Sequence, residues 1–228
     1  MNIKTPETES KQLGNIAAFF DFDETLLAID SASIGFKVLY DQGYLTKVFV
    51  VKMMLVMLLR KFGLINEKVM AGAMLSFYKG RELQPFIDHA DEFYREYLKP
   101  NLATDVISKL RWHQVQGHQT VLVTGSIDYY LKPVQLDLGI DHILCTHLEV
   151  SENGLLTGKP DGVVCVGPAK VVLMNELITK KGIDLAASYA YGNSELDIPM
   201  LENVGNPVVV NPSSGLTRHA KRQNWPVL

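Results

Sequence analysis

Two aspartates, Asp21 and Asp23, follow directly on a short apolar run at residues 16–20. A continuously apolar run of this length is typical of a strand that is covered on both faces. A carboxylate at the end of such a strand is costly to bury unless a partner compensates its charge, and a metal ion is one such partner. Because open α/β sheets bind ligands at the carboxyl ends of their strands, this pair is the first candidate for chemistry. The plainer alternative is an acidic turn after a strand.

Further polar groups that suit phosphate or metal chemistry occur later in the chain. Thr124-Gly125 follows a second apolar run and offers a hydroxyl and backbone N–H groups, as a phosphate oxygen at a helix N-terminus requires, although an ordinary helix cap needs the same residues. Lys170 would neutralise carboxylates and phosphate together, although most lysines are solvated. Asn193 and Asp197 belong to an oxygen-rich loop that suits a hard cation such as Mg²⁺ or, alternatively, caps the next helix.

The elements that must position these residues alternate along the chain. Short apolar runs separated by helical patterns predict an α/β fold with a parallel sheet between helices. The predicted strands are residues 16–20, 120–123, 143–145, 188–191 and 207–210. Two further runs, 148–150 and 155–157, predict a small β-hairpin.

One segment, residues 31–98, breaks this alternation because its pattern is helical throughout. We therefore predict a catalytic core formed by residues 15–30 and 99–228, a helical cap at 31–98, and a flexible tail at 1–14. Within the cap, residues 45–59 are apolar almost all round, which favours a buried helix; a dimer contact and a lipid-facing surface are the alternatives. This stretch is too short to span a membrane, so membrane contact is unfavoured but stays open.

Composition excludes several classes of protein. Of the 228 residues, 47% are hydrophobic and 21% charged, which is typical of a globular protein. The net charge of −3 argues against a nucleic-acid partner. Cys145 and Cys165 have no metal-site spacing, and no secretory segment begins the chain, so we expect free thiols and a cytoplasmic location.

The order of the motifs resembles that of a known family. Asp21-x-Asp23-x-Thr25, Thr124-Gly125-Ser126, Lys170 and Gly192-Asn193-x-x-x-Asp197 occur in the sequence typical of haloacid dehalogenase (HAD) superfamily phosphatases, in the phosphoserine phosphatase-like branch (subfamily IB). The resemblance implies a three-layer, Rossmann-like parallel sheet with an α-helical cap inserted after the first strand.

The same resemblance implies catalytic roles. Asp21 would be the nucleophile that becomes a transient aspartyl-phosphate, and Asp23 would be the general acid and then the general base. Lys170 would stabilise charge on Asp21 and the phosphoryl group. Thr124 and the N–H of Gly125 would hold phosphate oxygens.

The resemblance also implies Mg²⁺ as cofactor. Asp21, the backbone carbonyl of Asp23, and Asn193 would ligate the ion, and Asp197 would support the metal shell. Many family members have aspartate where this chain has Asn193, so we expect weaker Mg²⁺ binding here. Glu24 has no role that the sequence assigns.

Two residues bear on the substrate. In phosphoserine phosphatases an acidic residue near the position of Asp30 meets the substrate ammonium group; the alternative is that Asp30 caps the first cap helix. Arg81 is a candidate for binding a substrate carboxylate or a second anionic group, although most such residues are solvated.

The sequence thus predicts a Mg²⁺-dependent phosphomonoesterase that acts on a small phosphorylated metabolite, with phosphoserine and histidinol phosphate as examples. Three alternatives stay open: a phosphotransferase that uses the same aspartyl-phosphate, a lysophospholipid-type phosphatase, and a catalytically weakened binding protein, of which Asn193 would be the sign. The oligomeric state does not follow from the sequence.

Overall fold

The computed structural model describes residues 15–228, so the predicted tail at 1–14 lies outside the described residues. Six strands form one sheet in the order β4-β3-β2-β1-β5-β6. The strands are β1 (Ala17–Phe20), β2 (Gln119–Ile127), β3 (His142–Val150), β4 (Leu156–Asp161), β5 (Tyr189–Gly192) and β6 (Asn206–Val209). The helices are α1 (Ser31–Asp41), α2 (Lys47–Lys61), α3 (Glu67–Leu75), α4 (Gln84–Phe93), α5 (Thr104–Val115), α6 (Asp128–Leu138), α7 (Pro168–Lys181), α8 (Ile198–Glu202) and α9 (Ser214–Gln223).

The sheet lies between two helical layers, which confirms the predicted α/β class. Its strands are parallel except β4, which pairs antiparallel with β3. The alternating side chains of β1 divide between two apolar clusters: Ala18 and Phe20 pack with residues of α5 and α6, and Ala17 and Phe19 pack with residues of α7, α8 and α9. Burial on both faces explains why β1 is continuously apolar.

Strand β2 runs further than its apolar pattern indicates. β2 continues through Thr124-Gly125-Ser126 to Ile127, with an irregular register against β3 after Val123. The Thr146 hydroxyl donates to the carbonyl of Gly125 at 2.9 Å, which ties the two strands together there. Thr124 and Gly125 therefore lie at the end of a strand, and α6 begins only at Asp128.

Residues 31–98 are helical, as predicted, and include no strand longer than an isolated bridge. Their apolar side chains form a cluster with Leu148 and Leu156 of the β3–β4 hairpin, and Leu75 and Phe77 are buried in it. The hairpin thus supports the helical segment. The division into core and cap at 31–98 stays a prediction.

The interpretation of residues 45–59 as a buried helix is wrong for one face of α2. Met53 is buried with Met70 and Ala73, but Val48 and Val51 are 79% and 65% exposed. The reason is that α2 packs against its neighbours along one side only. No helix among residues 15–228 is long and apolar enough to cross a membrane.

Candidate active site

All the predicted site residues line one cavity of about 930 Å³. The core contributes the carboxyl ends of β1, β2 and β5 and the start of α7, and the helical segment 31–98 contributes the opposite wall. The predicted residues that line it are Asp21, Asp23, Asp30, Arg81, Thr124, Gly125, Lys170, Asn193 and Asp197. This grouping follows from the parallel sheet, whose adjacent strands end at the same edge.

Lys170 lies between two buried carboxylates at the base of the cavity. Its Nζ donates to Asp21 Oδ1 and to Asp197 Oδ1, both at 2.6 Å, and all three side chains are nearly excluded from solvent. α7 carries Lys170 in its first turn. Such charges are tolerated in the interior only when they are paired and hydrogen-bonded, and here each has a direct partner.

The charges in this group shift one another's pKa values. Burial and the charge of Asp197 raise the pKa of Asp21 to about 7, although Lys170 opposes this shift. Burial alone would lower the pKa of Lys170, but the charges of Asp21 and Asp197 raise it above its usual value. Lys170 is therefore a fixed cation, and Asp21 needs further positive charge nearby to be fully ionised at neutral pH.

Asp197 holds the loop after β5 rather than offering a free oxygen. Its Oδ2 accepts from the backbone N–H of Asn193 at 3.1 Å, and from the N–H and hydroxyl of Ser194 at 3.0 and 3.1 Å. A Cβ at Gly192 would lie 2.6 Å from Asp197 Cβ, so glycine is required at the end of β5 for this carboxylate to fit.

Asp23 is held from two sides. Its Oδ1 accepts from the backbone N–H of Ser31 at 2.7 Å, and its Oδ2 accepts from the Ser126 hydroxyl at 2.7 Å. The Ser31 hydroxyl lies 3.2 Å from Tyr130 Oη. Burial raises the pKa of Asp23, against the effect of the hydrogen bonds from Ser31 and Ser126. A partly buried carboxyl group in fixed orientation with a raised pKa is suited to general acid–base work.

Glu24, which has no role predicted from the sequence, contacts the loop after β5. It adopts a left-handed backbone conformation with φ of 55°, in the turn that follows Asp23. Its Oε2 accepts from Asn193 Nδ2 at 3.1 Å. This contact orients the Asn193 amide, so that its oxygen is directed away from Glu24.

The donor set at this end of the cavity fits a hard cation. Within residues 15–228, no three His, Cys, Asp or Glu side chains form a group that could hold a metal. The predicted magnesium site instead combines the carboxylate of Asp21 with two neutral oxygens, the Asp23 carbonyl and the Asn193 amide. Because Asp21, Asp23, Glu24 and Asp197 outnumber Lys170, negative charge is in excess, which favours a bound cation.

Thr124 and Gly125 form the wall beside Asp21. The Thr124 hydroxyl oxygen accepts from the N–H of Ser126 at 3.0 Å, so its own proton is available for a ligand. A Cβ at Gly125 would lie 2.7 Å from Val166 Cγ1, so a larger residue at position 125 would displace the Val166 side chain.

Asp30 and Arg81 line the cavity, and both also make hydrogen bonds to residues of the helical segment 31–98. Asp30 caps α1, where its oxygens accept from the N–H of Ala32 at 3.1 Å and the Ser33 hydroxyl at 2.5 Å. Arg81 donates from Nε to the Phe77 carbonyl at 2.8 Å, and its guanidinium lies 4.3 Å from the centre of the Phe77 ring. The capping alternative for Asp30 is therefore observed, which leaves its contact with substrate as a proposal.

Four residues that the structure places at the site have no role predicted from the sequence. Ser126 donates to Asp23 from the end of β2. Ser31 and Tyr130 support Asp23 from α1 and α6, and Glu24 supports Asn193. Glu24 is exposed, so its charge gave no signal in the sequence. Tyr130 had no signal in the sequence either, because its approach to Asp23 depends on how α6 packs against α1.

Comparison with known proteins defines the family. The model of haloacid dehalogenase-like hydrolases matches residues 18–202. A probable phosphatase of Mycobacterium tuberculosis is 30% identical over 93% of this chain and 74% of its own length. A histidinol-phosphatase of Neisseria meningitidis is 32% identical over 68% of this chain and 70% of its own length.

Solved structures agree with this relationship. A Bordetella pertussis protein of unknown function has 27% identity and a TM-score of 0.84, covering 94% of this chain and 98% of that one. A substrate-bound phosphoserine phosphatase has the same fold at 19% identity, with a TM-score of 0.66 and 90% of each chain covered.

The chain therefore belongs to the haloacid dehalogenase-like hydrolases. Within that family it is a phosphatase, as the motifs predicted, and it shares the fold of a phosphoserine phosphatase.

Proposed function

We propose that this phosphatase is a Mg²⁺-dependent phosphomonoester hydrolase that forms a phosphoaspartate at Asp21. The observation that carries the proposal is the position of Lys170, whose Nζ lies 2.6 Å from both Asp21 and Asp197 at the base of the cavity. A carboxylate attacks an anionic phosphate slowly because like charges repel, and a buried lysine beside the nucleophile reduces that repulsion.

In the first step, a carboxylate oxygen of Asp21 forms a bond to phosphorus as the bond to the substrate's leaving oxygen breaks. Protonated Asp23 gives its proton to that oxygen, which leaves as an alcohol. The contacts of Asp23 with Ser31 and Ser126 hold the carboxyl group in place for this transfer.

In the second step, water forms a bond to phosphorus as the bond to Asp21 breaks. Asp23, now ionised, takes the proton from that water, and inorganic phosphate is released. Two steps of this kind replace one direct displacement that is harder.

Other residues hold the phosphoryl group and the cation. Thr124 and the N–H of Gly125 would donate to phosphate oxygens. Asp21, the Asp23 carbonyl and Asn193 would hold Mg²⁺, and Asp197 would fix the loop that carries Asn193. When bound, Mg²⁺ would neutralise charge on the phosphoryl group and on Asp21.

The wall of the cavity favours a leaving group with an amine. Beyond the catalytic residues it carries the carboxylates of Asp30, Glu82, Glu92 and Glu96, which outnumber the guanidinium groups of Arg60 and Arg81. The named activity of the Neisseria relative, histidinol-phosphatase, has such a leaving group. We infer that the substrate is a small amino-alcohol phosphate.

Phosphate release tests both parts of the proposal. The full chain would be incubated with phosphoserine, histidinol phosphate and glycerol phosphate, in Mg²⁺ or in EDTA, beside Asp21→Asn. We expect release that requires Mg²⁺ and Asp21 and is fastest for an amino-alcohol phosphate. Folded Asp21→Asn with wild-type activity would overturn the mechanism, and preference for glycerol phosphate would overturn the substrate class.

A further inference from the structure

The exposed face of α2 carries an apolar stripe that the catalytic proposal does not use. We define the outer stripe as Val48, Val51, Leu55, Leu58 and Phe62. These side chains are 79%, 65%, 55%, 50% and 69% exposed, respectively. Their spacing of three and four residues places them on one side of the helix.

The outer stripe is distinct from the apolar contacts that hold α2 in place. The opposite side of α2 packs through Phe49, Met53 and Val56 against a cluster that contains Met70 and Ala73. Exposed apolar residues also flank the stripe, with Tyr44 at 54%, Leu64 at 70% and Val69 at 51%. Contiguous apolar surface of this kind on a folded protein indicates an interaction site.

The charge around the outer stripe indicates what it contacts. Residues 42–66 include four basic residues, Lys47, Lys52, Arg60 and Lys61, and no acidic residue, although the whole chain has a net charge of −3. Two copies meeting through this face about a two-fold axis would bring these like charges together. An anionic lipid surface would instead attract them.

We propose that the outer stripe docks on the surface of a membrane that contains anionic lipid. α2 has 15 residues, a length of about 22 Å at ~1.5 Å per residue, which suits a helix that lies in the interface plane and is too short for a span. The stripe would enter the boundary between headgroups and acyl chains, and the net positive charge of α2 would attract the anionic headgroups. This proposal is independent of the catalytic one, since docking is measured without substrate.

Vesicle co-sedimentation tests the proposal with the full chain. The vesicles would be phosphatidylcholine alone or phosphatidylcholine mixed with phosphatidylglycerol. The test variant is Val51→Gln, Leu55→Gln and Leu58→Gln combined, all at exposed positions. The matched control is Val115→Gln, Leu136→Gln and Val172→Gln combined, on core helices where these side chains are 81%, 70% and 53% exposed.

We expect the wild type and the control to sediment with the anionic vesicles, less so at high salt, and the test variant to partition about tenfold less. All three proteins should have the same circular dichroism spectrum and similar melting temperatures, which shows that they are folded. Absence of wild-type binding to anionic vesicles, or equal binding by the test variant, would overturn the proposal. A wild-type dimer that the test variant loses, with no vesicle binding, would assign the face to a second copy instead.

Discussion

At the scale of single residues, the site depends on carboxylates in different surroundings. Asp21 shares a lysine with Asp197, whereas Asp23 accepts only from neutral donors, Ser31 and Ser126. A cation stabilises the ionised form of a nucleophile, and neutral donors around a buried carboxyl group leave its protonated form accessible. The two aspartates are thus suited to different roles although they are two residues apart.

Replacement of Asp23 by asparagine tests its role as acid and base. The variant keeps the shape of the side chain but transfers no proton, so kcat for an alkyl phosphate should fall by about 10²–10⁴-fold. An aryl phosphate with an acidic leaving group needs no proton, so formation of the phosphoaspartate from it should fall much less. Rapid-quench kinetics with both substrates measures the difference. Equal losses of the first step for both would contradict a proton transfer from Asp23.

Replacement of Asn193 by aspartate tests the weakened metal site. The added charge should lower the Mg²⁺ concentration for half-maximal activity by about tenfold. Without metal, the new carboxylate faces Glu24, whose Oε2 now accepts from Asn193 at 3.1 Å, so the melting temperature in EDTA should fall. Titration of activity and thermal unfolding with Mg²⁺ measure both effects.

A matched control separates charge from shape. Combining Asn193→Asp with Glu24→Gln should restore the melting temperature in EDTA, because an amide can donate to the new carboxylate. If Asn193→Asp leaves the Mg²⁺ requirement unchanged, Asn193 is not a ligand.

At the scale of elements, the carboxyl ends of β1, β2 and β5 position the site residues. Gly192 allows the loop after β5 to pack closely against the end of that strand. Gly192 ends β5, and the Asp197 side chain packs against its Cα, where a Cβ would lie 2.6 Å from Asp197 Cβ. The loop between them is closed by the hydrogen bonds that Asp197 accepts. The position of Lys170 depends on that closure.

Gly192→Ala should therefore displace Asp197 and, through it, Lys170. Crowding of this kind typically destabilises by about 1–3 kcal/mol, and kcat should fall because the nucleophile loses its ordered partner. Urea unfolding and steady-state kinetics measure the two effects. Gly72→Ala is a matched control, since neither Gly72 nor Gly192 has a positive φ and nothing lies within 4 Å of a Cβ at Gly72. Loss of stability with unchanged kcat would contradict the coupling.

Sequence reasoning placed the motifs correctly because a parallel sheet brings strand ends to one edge. The predicted strand at 16–20 matches β1 closely, since a short, continuously apolar run is typical of a strand covered on both faces. The predicted second strand ends at residue 123, because Thr124-Gly125-Ser126 interrupts the apolar pattern. In the structure, β2 continues to pair with β3 as far as Ile127. The role of Tyr130 and the exposure of α2 depend on tertiary packing, which periodicity does not encode.

At the scale of the whole molecule, a buried histidine links one helical layer to the strands that carry the site. His113 of α5 is fully buried, with Nε2 2.9 Å from Tyr191 Oη and Nδ1 2.8 Å from His118 Nδ1. Tyr191 stacks on Phe20 at 4.6 Å between ring centres, so this contact reaches β1. Burial, with the charges of His118 and Lys109, lowers the pKa of His113 to about 4.

This shift predicts a loss of stability in mild acid. An unfolded histidine binds its proton near pH 6.5, whereas folded His113 binds it only near pH 4, so the unfolded state takes up more protons in between. The free energy of unfolding should therefore fall by about 2–3 kcal/mol as the pH drops through that window. Urea unfolding at several pH values, compared between wild type and His113→Gln, isolates this contribution. Identical pH dependence in the two proteins would contradict it.

The central claim is that Asp21 carries the phosphoryl group during turnover. The most direct test is a single-turnover reaction with substrate labelled in its phosphoryl group, quenched in acid and digested to peptides. We predict that the label appears transiently on the peptide with Asp21, is released by hydroxylamine as an acyl phosphate would be, and is absent from Asp21→Asn. Release of labelled phosphate with no label on Asp21 at any time would contradict the account.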